Sequence, residues 1–277
     1  MTTFEDAAII GLGLIGGSLA RDLSARGVRV RAYDIDERHL QDAVQSGCVH
    51  ESLDRSLTGV SVSDLIVVAV PVDSATEVLR QIAPHTARAK LITDVGSTKT
   101  RIVEVAAELG LTSRFVGSHP MAGDHRSGWG ASRTGLVDGA SVYLCPPAGA
   151  PRCIVDLAAE WWSWLGARPV VMSAELHDGK LAWTSHLPHM VSTALALALA
   201  NADVERDDLG PGGRDMTRLA GSSADVWTAI ARDNAAAIDT ALISAEREIA
   251  AMRAALNRSN AADLRERFAA ARAWFDA

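Results

Sequence analysis

Lysine is almost missing from this chain: Lys90, Lys99 and Lys180 are its three lysines in 277 residues, against 24 arginines. The imbalance reads as a compositional bias of the genome rather than a functional signal. The basic residues gather into no patch, and the formal net charge is −7. A counterion-releasing surface for nucleic acid is therefore not expected. Cysteine is scarce as well. Cys48, Cys145 and Cys153 have no C-x-x-C spacing, which argues against a disulfide framework or a zinc site and fits a reducing cytoplasm. The segment Met1-Thr2-Thr3-Phe4-Glu5-Asp6 has neither the basic nor the apolar region of a signal peptide. The longest apolar helical run, Ala194 to Ala200, is far too short to span a bilayer. Nearly half of the residues are apolar, and the length suffices for one large or two modest buried cores.

What the chain does have is a glycine cluster in a telling place. Gly11-Leu12-Gly13-Leu14-Ile15-Gly16-Gly17 follows the apolar run Ala7-Ala8-Ile9-Ile10 and precedes a helix-like stretch from Ser18 to Arg26. This is a strand, a tight turn and a helix N-terminus. Gly11 permits the reversal, Gly13 lets a diphosphate approach the main chain, and Gly16 lets the helix pack closely on the strand. A second strand, residues 28–33, ends in Asp34, where an acid meets the adenosine ribose hydroxyls of a dinucleotide. Asp34 repels a 2′-phosphate, so NAD is expected over NADP, although the nearby Arg38 pulls the other way. A glycine turn that merely permits tight packing is the alternative.

From Ala7 to about Met172, β-like runs alternate with helical stretches, the pattern of a parallel sheet covered on both faces. The strands predicted are 7–10, 28–33, 65–70, 91–94, 115–118, 141–145 and 168–172. The run 65–70 is almost wholly apolar, as in a strand buried on both sides, and its end at Val70-Pro71 marks the cofactor crevice. Beyond Met172 the strands stop, and Ala174 to Ala202, Ala224 to Leu256 and Ala261 to Phe275 read as helices. Asp203 to Arg214 reads as a loop between helices. The domains are accordingly placed at 1–172 and 173–277, and the exposed apolar faces of the second need a partner.

Three polar clusters could carry chemistry. Asp94-Val95-Gly96-Ser97-Thr98-Lys99 follows a strand at the sheet edge that carries the glycine turn, but it lacks phosphate-loop spacing, and Ser97 could simply cap a helix. Gly117-Ser118-His119-Pro120-Met121-Ala122-Gly123-Asp124 also follows a strand, and His119 reads equally as a general base or a structural histidine. Ser185-His186-Leu187-Pro188-His189 puts two histidines three apart, yet no third ligand suits a metal, and none is expected. Further on, Arg214 and Arg218 could clamp a carboxylate or form a solvated ion-pair face.

Taken together, the segments 11–18, 96–99, 117–123, 185–189 and 214–220 resemble the prephenate/arogenate dehydrogenases, in register over nearly the whole chain. The resemblance implies an N-terminal Rossmann-type, doubly wound parallel sheet and an all-α C-terminal domain through which two chains dimerise. It implies NAD-dependent oxidative decarboxylation of a cyclohexadienol on the route to tyrosine. By the match, His119 accepts the hydroxyl proton as hydride leaves, and Ser97 hydrogen-bonds that hydroxyl or the nicotinamide. His189 and Arg218 hold substrate carboxylates, with Arg214 or Asp215 in support, while His177 and His186 read as packing or supporting residues. Gly11, Gly13, Leu14, Ile15, Gly16, Asp34, Val70 and Pro71 face the cofactor. Some members carry a fused chorismate mutase or a regulatory domain, and neither is expected in this chain.

One departure bears on substrate choice. After His-Pro-Met-Ala-Gly many members carry neutral Thr, Ser or Pro, whereas this chain has Asp124. An acid there favours arogenate, whose side chain bears an ammonium, over prephenate with its keto group. A loop carboxylate paired with Arg126 is the competing account, and a prephenate-specific enzyme remains the alternative. A β-hydroxyacid dehydrogenase is disfavoured because Lys180 is followed four residues later by Thr184 rather than asparagine. A non-catalytic NAD-sensing module would lack both base and clamp.

Overall fold

Alternation along the first strand sets the architecture. In β1 (Asp6–Ile10) Ala7 and Ile9 enter one apolar core while Ala8 and Ile10 enter another, all four fully buried. A strand buried on both faces needs helices on both sides. The computed structural model describes residues 4–123 and 126–277. After β1 come α1 (Leu14–Ala25), β2 (Arg29–Tyr33), α2 (Glu37–Gln45), β3 (Glu51–Ser52), β4 (Leu65–Val68), α3 (Val72–Ile82), β5 (Leu91–Asp94) and α4 (Thr100–Glu108). Then follow β6 (Phe115–Pro120), β7 (Ser141–Cys145), α5 (Arg152–Trp164), β8 (Arg168–Val171) and α6 (Ala174–Leu181). The eight strands form one sheet in the order β3-β2-β1-β4-β5-β6-β7-β8. Helix α1 and helix α5 cover one face, with Leu19, Leu23, Trp161 and Trp162 in the first core. Helices α3 and α4 cover the other, with Leu79, Ile82, Ile102 and Val105 in the second. The chain reverses its order of strands at β1/β4, where α/β sheets open their ligand crevice.

The sheet departs from all-parallel at one place. β6 and β7 pair antiparallel, with Gly117 opposite Cys145 and His119 opposite Tyr143. A parallel neighbour requires a crossover, commonly helical, and between these strands the described residues form no more than the 3₁₀ turn Trp129–Ala131. The two-residue β3 is an addition to the seven strands predicted. β4 stops at Val68, so Val70 and Pro71 lie in the turn into α3, and β6 runs on to Pro120, which puts His119 on the strand itself.

The chain divides into two compact units, Met1–Lys180 with Gly221–Asn234, and Leu181–Ala220 with Ala235–Ala277. The second unit holds α7 (Leu187–Ala200) and α8 (Pro211–Met216), while α9 (Ala224–Asp233) belongs with the sheet. Helices α10 (Ala235–Asn257) and α11 (Ala261–Phe275) complete the second unit.

Three details correct the helical reading. Residues Ala182–His186 form a π turn rather than α-helix. Pro188 has no N–H for the carbonyl of residue 184 and its ring crowds that carbonyl, so the hydrogen-bond ladder widens just before it. The helix read as 224–256 is interrupted at Asn234, whose side chain donates to the Asp178 carbonyl at 2.8 Å. Helix α8 lies partly in the segment read as loop, with Pro211 in its first turn, where no N–H is needed. Among the described residues no helix is long and apolar enough to cross a membrane.

Candidate active site

The glycine turn is built by exclusion. Gly11 has φ +97°, and a Cβ there would run into the Ala69 carbonyl; a Cβ on Gly16 would run into the Gly11 carbonyl. Both glycines are thus required for α1 to lie against the strand ends. Gly13 differs: a Cβ there would meet nothing within 4 Å, so its backbone faces open space. Gly13 caps α1, whose first turn begins at Leu14 and Ile15 and carries no acid and no side-chain cap. The first-turn N–H groups are therefore left by the helix for an anion.

Asp34 closes this turn from the β2 side. Its side chain is 9% exposed. One oxygen accepts the Leu12 N–H at 2.5 Å and the other the Asp36 N–H at 2.8 Å. Arg38 is drawn to Asp36, with Nη2 to Oδ2 at 2.9 Å and Nε to Oδ1 at 3.1 Å. Arg38 is thereby engaged by Asp36 rather than by Asp34. Val70 lies at the Gly11 end of the crevice, its Cγ1 3.2 Å from where a Gly11 Cβ would stand, and Pro71 caps α3.

His119 is nearly buried on β6. Its Nδ1 lies 2.9 Å from His177 Nε2. His177 is fully buried on α6, and its Nδ1 lies 2.7 Å from Asp178 Oδ1. The Asp178 carboxylate also accepts the N–H groups of Lys99 and Thr100, each at 2.8 Å. Burial pushes the Asp178 carboxyl up, but the hydrogen bonds from His177, Thr100 and Lys99 outweigh it and hold it below the ordinary carboxylate value. These contacts also settle how α4 begins. Ser97 does not cap it; a carboxylate from α6 does.

The loop that carries Ser97 is pinned from several sides. Lys99, fully buried, pairs with the equally buried Asp94. Asp94 in turn accepts the Gly96 N–H at 2.7 Å and the Ser118 N–H at 3.3 Å. Thr98 donates to Asp233. Ser97 itself is half-buried. Ser118 receives the Trp162 indole N–H at 2.9 Å, which locks the strand residue beside His119. Cys145, across the sheet from Gly117, is pushed up to about 12 by burial and is no nucleophile at neutral pH.

In the helical unit, α7 carries His189, which is half-buried, and Arg218 is exposed at the start of the 3₁₀ turn Arg218–Gly221. Burial, and then the Arg218 charge, pull His189 down to about 4. It is therefore a neutral imidazole at physiological pH, beside a cation. Arg214 on α8 donates to the Asp207 carbonyl at 3.2 Å. His186 is buried. Among the described residues no group of three or more His, Cys, Asp or Glu could hold a metal ion. Asp124 lies outside the described residues.

The family model for the prephenate dehydrogenase nucleotide-binding domain matches residues 19–171, and that for the prephenate dehydrogenase dimerization domain matches residues 173–270. The chain belongs to the prephenate dehydrogenase family. It is 34% identical over 245 residues to a prephenate dehydrogenase of Bacillus subtilis, an alignment covering 84% of this chain. It spans only 66% of that protein's length. A cyclohexadienyl dehydrogenase of Zymomonas mobilis is likewise 34% identical, over 86% of this chain and 84% of its own. The crystal structure of Aquifex aeolicus prephenate dehydrogenase, a complex with hydroxyphenyl propionate and NAD+, superposes with a TM-score of 0.89 at 28% identity. It covers 98% of this chain and 96% of that one.

Within this prephenate dehydrogenase family member, the sequence singled out His119 and Ser97 but read His177 only as packing or support. Asp94 enters that reading only as the first residue of a polar cluster and Asp178 only as a neighbour of His177, neither with a role, and Asn234 does not enter it. The signal for Asp178 was weak: an acid early in a helical stretch, whose carboxylate is engaged by backbone N–H groups 78 and 79 positions away.

Proposed function

We propose that this chain catalyses the NAD-dependent oxidative decarboxylation of arogenate and/or prephenate in tyrosine formation, with His119 as the base. The observation that carries the reading is the His119–His177–Asp178 chain of hydrogen bonds at the end of β6, on the sheet that also bears the glycine turn. The open space at Gly13, the unopposed first turn of α1 and the carboxylate of Asp34 fit a dinucleotide with a free ribose diol. When bound there, NAD supplies the hydride acceptor.

The residues then divide the work. His119 takes the proton of the ring hydroxyl as hydride leaves the same carbon. The bond from the ring to the carboxylate breaks, carbon dioxide departs, and its electron pair aromatises the ring. The proton returns from His119 to the phenolic oxygen, so no net proton is consumed. Ser97 orients the hydroxyl. Arg218 and His189 take substrate carboxylates, the first as a charge and the second as a neutral hydrogen-bonding partner, with Arg214 in support. A homodimer through the helical unit is part of the proposal. It is supported by the apolar side chains this unit leaves exposed, among them Leu197, Ile249, Leu256, Phe268 and Trp274. A cytoplasmic location completes it.

NADH formation from each substrate, with NADP run in parallel, tests the reading. NAD is expected to be strongly preferred. Asp34→Ser is expected to weaken NAD and relieve the rejection of NADP, because the carboxylate both holds the ribose hydroxyls and repels the extra phosphate. A parent enzyme that already uses NADP as well as NAD would remove this role from Asp34.

Substrate preference is assigned to Asp124, toward arogenate. A well-placed charge pair at a partly desolvated site changes discrimination by roughly 5- to 150-fold. Asp124→Asn is therefore expected to shift the ratio of kcat/KM values toward prephenate by that amount. An unmoved ratio, or a parent that already prefers prephenate, returns Asp124 to the role of a loop carboxylate.

A further inference from the structure

We propose that His177 and Asp178 are positioning residues that set the tautomer of His119, so that its Nδ1 carries the proton and its Nε2 presents the lone pair. The proposal rests on His119 being the base, and it follows from reading the chain of contacts from its buried end. Asp178 accepts two backbone N–H groups, from Lys99 and Thr100, besides its contact with His177. An ionised carboxylate has no proton to give. His177 Nδ1, 2.7 Å from Oδ1, must then be the N–H donor. In a neutral imidazole the other nitrogen becomes an acceptor, so His177 Nε2 accepts. His119 Nδ1, 2.9 Å away, is obliged to donate to it. The remaining ring nitrogen of His119, Nε2, is left basic. An unconstrained imidazole samples both tautomers, and only one of them can take a proton at Nε2.

The arrangement also fixes where His119 points. His177 is fully buried and held on two sides, by Asp178 and by the Tyr143 ring, whose centroid lies 5.5 Å from its own at an interplanar angle of 73°. Tyr143 stands opposite His119 across the β6/β7 pairing. The antiparallel turn of the sheet at this point thus brings the support of His177 to the strand that carries the base. Asp178 is itself secured through its carbonyl by Asn234 at 2.8 Å. Because the same carboxylate caps the start of α4, immediately after Ser97-Thr98-Lys99, it ties the base and the serine loop to one anchor. That is a reason for the carboxylate to sit here rather than a side-chain cap supplied by Ser97: a serine engaged as a cap could not also face the substrate hydroxyl.

Two near-isosteric variants separate positioning from packing. Glutamine at 177 puts its amide oxygen near the place of Nε2 and can still accept from His119; asparagine reaches only the place of Nδ1 and can serve only Asp178. His177→Asn is expected to lower kcat roughly 10²-fold, the scale of a misassigned tautomer being 10⁴ or less. His177→Gln is expected to stay within about fivefold of the parent. KM for NAD should change less than threefold in both, and the thermal midpoints of the two should agree closely. Equal losses in the two variants, or no loss in either, would reduce His177 to a packing residue and overturn the proposal. His119→Asn is measured alongside. If that variant keeps its turnover, the failure lies with the base assignment; if it is inactive while His177→Asn is not, the failure lies here.

Discussion

His119→Asn is expected to bind NAD within about twofold of the parent while turnover falls by roughly 10²–10⁴, the worth of a positioned general base. The contacts proposed for the cofactor lie elsewhere, on the glycine turn and at Asp34, and the substitution is nearly isosteric. Asparagine at 119 can still donate toward His177 Nε2, so the buried chain from His177 to Asp178 keeps its hydrogen bonds and the strand its place. What is lost is the nitrogen that takes up the hydroxyl proton. Transfer of hydride from a carbon whose hydroxyl stays protonated leaves a charged, high-energy product, and the barrier rises accordingly. Steady-state kinetics with a separate NAD-binding titration checks it. Turnover within threefold of the parent would remove His119 from the mechanism.

The second large effect is expected at Arg218. Its guanidinium is exposed in this chain and next to a histidine that burial and that same guanidinium hold neutral, pulled down to about 4. The proposed clamp would therefore offer one cation and one uncharged partner to a carboxylate. Arg218→Ala is expected to lower kcat/KM by roughly 30- to 1000-fold, chiefly through KM for the cyclohexadienol, with KM for NAD within twofold. Arg214→Ala should cost far less, because that guanidinium already donates to the Asp207 carbonyl. The reverse order of the two variants would move the clamp to Arg214. Since His189 gains a proton only near pH 4, its charge should not alter substrate KM between about pH 5.5 and 8.

What the sequence discloses here divides along physical lines. The glycine turn, the acid ending β2 and the buried runs of β1 and β4 obey local rules: φ above zero, close approach, alternation and apolar continuity within a few residues. Those elements could be read directly. The direction of β7 could not, because a strand's own pattern is the same whether its neighbour runs parallel or antiparallel. The π turn at Ala182–His186 was encoded in Pro188, yet periodicity counts the apolar residues and not the missing N–H. The active-site support was hidden for a different reason. His177-Asp178 looks like an ordinary polar pair near a helix start, and its meaning depends on partners at residues 99, 100 and 119, brought to it by folding. Side chains that act on substrate announce themselves by type. Those that orient them are known by whom they touch.

The account stands most directly on the products of one reaction. Purified protein incubated with NAD and either arogenate or prephenate should release carbon dioxide and NADH in equal amounts, with tyrosine formed from the first and 4-hydroxyphenylpyruvate from the second. At least one substrate should turn over, and NADP should replace NAD poorly. NADH without carbon dioxide, or no NADH from either substrate by a protein that still binds NAD, would contradict it.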